Sequence, residues 1–259
     1  MTTTYERQPT ELQHKDILDA FEHAKREFPK EACGIFTHSI GYFPCTNTHP
    51  EPEFNFAMKE YMQVAANSND VIAIFHSHTN GNEAPSAEDM RFQIATGFPW
   101  GVASLHNANQ VDDCFFWGSN NIPPLRGRRY RSGANDCYSI IKDAYKLWYD
   151  IDLPEFPRDS EFWNRGQNLY STGFQKAGFK EMPLSEIKPG DVLLGSIRGK
   201  GIINHGGVVL NDKEVIHHLA LKLSRRESLS RWSRVLNIGL RHKSFGNNPP
   251  PHPPEISRQ

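Results

Sequence analysis

The chain reads as a mixed α/β (α+β) protein of two domains. Helix-period and strand-length apolar runs alternate through residues 11–118. The stretch SNNIPPLRGRR, 119–129, then breaks the alternation with turn formers, two prolines and basic residues, as a linker does. Beyond it come a helical pattern and several short apolar runs separated by Gly, Asn and Asp.

The elements follow in order. In ELQHKDILDAFEHAKREF, 11–28, Leu12, Ile17, Leu18, Phe21, Ala24 and Phe28 fall near helical spacing, and Pro29 stops the pattern. CGIFTHSIGYFPC reads as strand, turn, strand. A helical stretch is expected near 57–67, then a strand, VIAIFHSH, and a helix over 86–95, SAEDMRFQIA. WGVASLHN and VDDCFFWG read as two strands joined by a polar turn. A helix opens at about 136, with Tyr138, Ile141, Tyr145 and Trp148 on one face, and a second lies near 160–177. DVLLGS, NHGGVVL and EVIHHL are short strands, RRESLSRWSRVL reads as helical and NIGLRH as a last strand. Residues 246–259, GNNPPPHPPEISRQ, are too rich in proline and too poor in apolar residues to pack, so a disordered tail is expected.

Composition narrows the function. A net charge of −1 gives no electrostatic reason to expect nucleic acid. No apolar run reaches the length of a membrane span, and the N-terminus lacks the apolar core of a secretory signal. Four widely spaced cysteines (Cys33, Cys45, Cys114, Cys137) without a CxxC pair point to free thiols made in a reducing cytosol.

Two constellations carry chemistry. His76 and His78, at i and i+2 on a strand, point their imidazoles to one face, which suits two ligands of one ion. Asp89 follows near a helix start, where a loop can return it to the same ion. Two imidazoles and a carboxylate leave the fourth position of tetrahedral Zn²⁺ open, the catalytic pattern. The stretch from Ser86 to Asp89 also fits a helix-start capping box, and taken alone that is the commoner meaning of SxxD. A cupin-type site using His76, His78 and Glu83 fails, because neither its later glycine nor its second half is present. The joint spacing, His76-Ser77-His78, seven residues, Ser86, two residues, Asp89, resembles the JAMM motif of the JAB1/MPN/Mov34 metalloproteases. FPKEACGIF upstream is similar to that family's acidic signature. The resemblance covers roughly 10–118 and implies a layered α/β fold of the cytidine-deaminase-like kind. It implies one zinc on His76, His78 and Asp89, Glu31 taking a proton from the attacking water, and Ser86 hydrogen-bonding the oxyanion. Cys33, two residues beyond Glu31, reads as a small strand residue beneath the site.

Cys137 begins an amphipathic helix, where backbone N–H groups and the helix dipole favour thiolate. His205 starts one strand, and His217 lies on the next across a turn. A cysteine nucleophile needs an imidazole base, and the base needs a third polar group to set its tautomer. His217 and His218 point to opposite faces of their strand, and His218 reads as a surface histidine. This set resembles the NlpC/P60 family of papain-like cell-wall peptidases, over about 128–243, whose dozen-residue spacing selects His217. Tyr138-Ser139 replace the small residues usual after Asp-Cys there, which implies a bulkier pocket, an altered substrate or lost activity. Tyr130 lies at an unconvincing offset for a role beside the cysteine.

A JAMM half (1–122), an NlpC/P60 half (128–245) and a tail (246–259), in that order, resemble the tail assembly protein K family of long-tailed bacteriophages. The resemblance implies assembly in the host cytoplasm and a place at the virion tail tip. Its implied partners are other tail-tip proteins, and its implied substrate is the peptidoglycan stem peptide, cut at a γ-D-glutamyl–diaminopimelate-type bond. The competing expectation is a structural tail-tip component in which one or both enzyme folds serve as docking modules.

Overall fold

A computed structural model describes residues 5–60, 68–158, 169–197 and 201–254. The chain divides into two compact units, Met1–Pro123 and Pro124–Gln259.

The first unit is built on a five-stranded sheet. Its elements are α1 (His14–Glu27), β1 (Cys33–Thr37), β2 (Gly41–Cys45), β3 (Val71–His78), α2 (Ala87–Thr96), β4 (Trp100–Ser104) and β5 (Asp113–Trp117). Strand order is β2-β1-β3-β4-β5. Only β3 and β4 run parallel, and α2 lies in the crossover that parallel neighbours require. Every residue of β3 is buried, because it is the central strand. Strand alternation sends Ala73 and Phe75 to one face, where Ile17, Ala20 and Ala24 of α1 join Phe36 and Phe116 in one core. Leu18, expected on the buried stripe, faces solvent instead. The opposite face carries His76 and His78 beside a smaller cluster of Cys33, Ile35, Cys45 and Val71 packed by Phe56 and Phe98. The expected helix near 57–67 falls largely outside the described residues; residues 57–60 form a bridge and turn.

The second unit pairs α3 (Cys137–Tyr149) and α4 (Leu169–Lys176) with an antiparallel sheet. Its strands are β6 (Phe179–Met182), β7 (Val192–Gly195), β8 (His205–Asn211), β9 (Glu214–His217), β10 (Arg225–Ser228) and β11 (Ile238–His242), with the short helix α5 (Leu229–Trp232) between the last two. Their order is β10-β9-β8-β7-β11-β6. Ile140, Ile141, Ala144 and Tyr145 of α3 pack on Val192, Leu194, Val208, Leu210 and Ile216. The alternate residues Leu193, Val209 and Val215 meet Trp232 and Leu236 on the other face. Burial on both faces explains why these strands read as continuous apolar runs.

Two expectations are corrected here. RRES is not helical: Arg225–Ser228 pair antiparallel with His217–Glu214, and only four residues after them form a helix. The strand is an edge, and its side chains go to ion pairs, so it carries no apolar alternation. The proline-rich tail is not wholly unpacked either. Pro250 and Pro253 are buried, and the Tyr149 hydroxyl donates to the Pro251 carbonyl at 3.0 Å. Proline needs no N–H partner and has little side-chain freedom to lose, so a short proline segment can lie against an aromatic surface at low entropic cost.

Candidate active sites

The end of β3 and the start of α2 build the first site. Ser86 caps α2: its Oγ accepts the Asp89 N–H at 3.0 Å, and Asp89 Oδ2 accepts the Ser86 N–H at 2.7 Å. This reciprocal capping box turns the Asp89 carboxylate toward β3. Asp89 Oδ1 lies 3.4 Å from His76 Nε2, Asp89 Oδ2 lies 3.5 Å from His78 Nε2, and the two Nε2 atoms are 3.1 Å apart. The three ligand atoms all fall within 4.8 Å of one another. Tetrahedral zinc bonds of ~2.0–2.1 Å set ligand–ligand edges of about 3.3 Å. The three observed separations lie near that value, the two to Asp89 reaching different carboxylate oxygens, so the group could hold a small divalent cation.

The rings are held to this geometry. His78 Nδ1 donates to the Asn82 carbonyl at 3.0 Å, which leaves Nε2 bare for a metal. His76 Nδ1 has no polar partner among the described residues. Packing fixes that ring: Phe56 stacks on it at 4.7 Å and Trp100 meets it edge-on. Burial works to raise the Asp89 carboxyl, but the two imidazoles outweigh it and hold the group well below the usual carboxylate range. Cys33 lies in register with His76 on the neighbouring strand, fully buried, its thiol pushed up by burial and then by Cys45. An inert thiol packed beneath the imidazole matches the expectation for that residue.

Glu31, just before β1, is 5% exposed. Burial pushes its carboxyl up to about 7; His78 pulls it down and Asp89 pushes it further up. A carboxyl poised there can both take and return a proton near neutral pH. Asn47, which carried no sequence signal, secures this segment. Its Nδ2 donates to the Glu31 and Asn55 carbonyls at 2.8 and 3.1 Å, and its Oδ1 accepts the His49 and Ala57 N–H groups.

In the second unit Asp136 caps α3 by accepting the Ser139 N–H at 3.0 Å, so Cys137 is the first helical residue. Arg158 locks the cap: its Nε and Nη2 donate to Asp136 at 2.7 and 3.0 Å, and its Nη1 reaches Glu155 at 2.7 Å. The Cys137 sulfur meets the Tyr170 hydroxyl at 2.8 Å, and the backbone of Gly206, the residue after His205, acts to lower the thiol. The sulfur makes no hydrogen bond to the His205 ring among the described residues. The resting state also departs from the expected thiolate. Burial, and next the Asp136 charge, push the thiol up to about 11, outweighing the donors around it.

His205 Nε2 and His217 Nδ1 are 2.9 Å apart, and His217 Nε2 lies 3.1 Å from Glu227 Oε2. Trp232 Nε1 donates to the same carboxylate oxygen, and Arg225 pairs with the other at 2.8 Å. Burial, His217 and His218 push His205 down to about 3, so it rests as a neutral base. Glu227 went unread because its strand carries no apolar pattern, and Tyr170 because nothing ties it in sequence to Cys137. His218 is corrected: it is 1% exposed, its Nε2 against the Lys222 carbonyl at 3.1 Å and Tyr130 edge-on to its ring. Tyr130 thus packs on His218, and the hydroxyl on the sulfur is that of Tyr170.

Comparison with known proteins agrees with the two-unit architecture. Residues 14–118 match the model of prokaryotic homologs of the JAB domain, and residues 114–237 match the NlpC/P60 family. The tail tip assembly protein K of Escherichia phage lambda is 33% identical over 177 residues, 68% of this chain and 84% of that protein. Its counterpart from Escherichia phage N15 is 28% identical, over 83% of this chain and 88% of that protein. A crystal structure of an NlpC/P60 family protein from Bacillus cereus superposes at a TM-score of 0.34 and 13% identity, covering 90% of this chain and 66% of that one, too loosely to add weight. With a JAB-like half, an NlpC/P60 half and this level of identity, the chain belongs to the tail tip assembly protein K family.

Proposed function

We propose that the protein is a phage tail-tip assembly protein carrying two hydrolytic centres, a thiol peptidase directed at peptidoglycan stem peptides and a zinc-dependent amide hydrolase. The observation that carries the reading is the 2.9 Å contact between His205 and His217, on the strand whose next residue, Gly206, is near enough to lower the Cys137 thiol. In this reading Cys137 attacks the stem-peptide carbonyl, His205 takes and returns the proton, and His217 orients His205. The Tyr170 hydroxyl, already at the sulfur, is a donor placed to steady developing negative charge.

In the first unit His76, His78 and Asp89 would hold the zinc, which supplies Lewis acidity to the amide carbonyl and the attacking water. Glu31 takes the proton at its carboxylate. Ser86 Oγ accepts the Asp89 N–H, which leaves its own O–H to donate to the oxyanion. Assembly in the host cytoplasm, followed by carriage to the cell wall on the tail, gives the two centres different times of action. Digestion of purified muropeptides, read by mass spectrometry, tests the peptidase. Cleavage that disappears in Cys137→Ala and persists in His76→Ala supports it, and cleavage by Cys137→Ala as strong as wild type removes it.

A second reading, docking modules without catalysis, is favoured by one observation: the sulfur is bonded to Tyr170 rather than to the imidazole. It predicts that a His76→Ala, Cys137→Ala double variant restores infectious particles to a tail-assembly mutant; failure of that rescue counts against it.

A further inference from the structure

We propose that Glu227 is a positioning residue for the cysteine site, setting the tautomers of two successive imidazoles so that His205 keeps a bare Nδ1 for the Cys137 proton. The inference rests on the thiol-peptidase reading above and extends it by one residue.

The chemistry of the partners fixes the direction of each bond. An indole N–H and a guanidinium can only donate, and they face the two oxygens of Glu227 from Trp232 and Arg225. Burial acts to raise this carboxyl, but Trp232, His217 and Arg225 together hold it below the usual range, so it is an ionised acceptor. His217 Nε2, 3.1 Å from Oε2, must therefore carry the hydrogen. Burial keeps His217 neutral, so its Nδ1 is bare and accepts from His205 Nε2 at 2.9 Å. His205 is neutral too, and with its one hydrogen committed to Nε2, its Nδ1 lone pair remains. A carboxylate on an edge strand thus specifies, through one ring, which nitrogen of the next ring is basic.

The same line carries charge. The S–H bond of Cys137 breaks and an N–H forms at His205 Nδ1; His205 Nε2–H can then pass to His217 Nδ1. The sulfur keeps the electron pair and the positive charge comes to rest beside Glu227, with nothing oxidised or reduced. Other charged groups bear on the two rings: Asp136 and His218 on His205, and Arg225 on His217. Asp136 and His218 remain in every variant below.

The test uses the full chain. Iodoacetamide alkylation is followed at Cys137 by peptide mass from pH 5 to 9 in wild type, His205→Ala, Glu227→Ala and Glu227→Gln. Nitrogen-15 NMR of the imidazoles reads the tautomers directly. Wild type is expected to show hydrogen on Nε2 of both His205 and His217. Glu227→Ala should slow alkylation at neutral pH about 10- to 100-fold and mix the His217 tautomers. Glu227→Gln, whose amide oxygen still accepts from Trp232 and His217, should recover most of the rate with the wild-type tautomers. Wild-type His217 bare at Nε2 overturns the proposal, whether or not the alanine variant folds. So does a folded Glu227→Ala protein with the wild-type rate. If His205→Ala leaves alkylation unchanged, the peptidase reading itself fails and takes the relay with it.

Discussion

The candidate metal-ligand set and the candidate cysteine site reach convergence by opposite routes. His76, His78, Ser86 and Asp89 come from one strand–loop–helix passage, and a single capping box aims the carboxylate. Cys137, His205, His217 and Glu227 come from a helix start and three strands; sheet register gathers the last three, and packing of α3 on the sheet places the first. Electrostatics differ as well. In the first site burial raises the acid, Glu31, to about 7, which makes it a usable base. In the second, burial pushes the thiol to about 11 and His205 to about 3, which widens the gap a proton must cross. The candidate ligands of the first site already face one another, whereas the second needs its sulfur to leave Tyr170 for the imidazole. Local assembly tolerates little beyond its own residues, whereas register-built chemistry depends on a wider frame.

That contrast can be broken at several strengths. The largest effect is expected from Cys137→Ala, which should abolish muropeptide cleavage while leaving metal content intact; activity assayed beside elemental analysis checks both. Next is the frame. Arg158→Ala strands the buried carboxylate of Asp136, while the half-buried Glu155 keeps Lys142, and should destabilise the second unit by about 3–5 kcal/mol, measured by urea denaturation. The candidate metal site lies in the other unit, so metal content should survive wherever the chain remains folded.

Acid and base should separate the halves. His205 has a folded pKa of about 3 and an ordinary value of 6.5, so the unfolded chain binds more protons between those limits. Stability is therefore lost as pH falls from about 6.5 to about 3, and His205→Asn should flatten that limb of a plot of Tm against pH. Glu31 has the opposite sign. With a folded pKa of about 7 against 4.5, the folded chain holds the extra proton, and stability is lost as pH rises between those values. Glu31→Gln should raise Tm of the metal-free protein above pH 7, seen by calorimetry in chelator. The smallest effect belongs to Tyr170→Phe. The hydroxyl's hydrogen bond lowers the thiol pKa, so its loss should slow alkylation of Cys137 only a few-fold.

Legibility in the sequence followed the same division. The residues of the first site stand out in the sequence because a two-residue strand period and a three-residue cap period group His76, His78, Ser86 and Asp89, and it is the resemblance of their joint spacing to the JAMM motif that marks them as a candidate metal site. Asn47 escaped because its work is done on backbone groups of a loop. In the second unit the apolar strands are visible in the sequence, but β10 carries a helix-like pattern since its residues serve ion pairs at a sheet edge. Glu227 is obscured with it. The burial of His218 is not legible in the sequence, because alternation says which face a residue takes, not whether that face is covered. The charge state of Cys137 could not be read either, as helix position favours thiolate and burial, seen only in three dimensions, reverses it.

The central claim is that each half assembles its own chemistry from its own residues. Zinc content per chain by inductively coupled plasma mass spectrometry, after loading and desalting, tests it most directly. The account predicts about one zinc in wild type and in Cys137→Ala, and none in His76→Ala or Asp89→Ala. A wild-type protein that retains no metal, or an Asp89→Ala protein that retains as much as wild type, would contradict it.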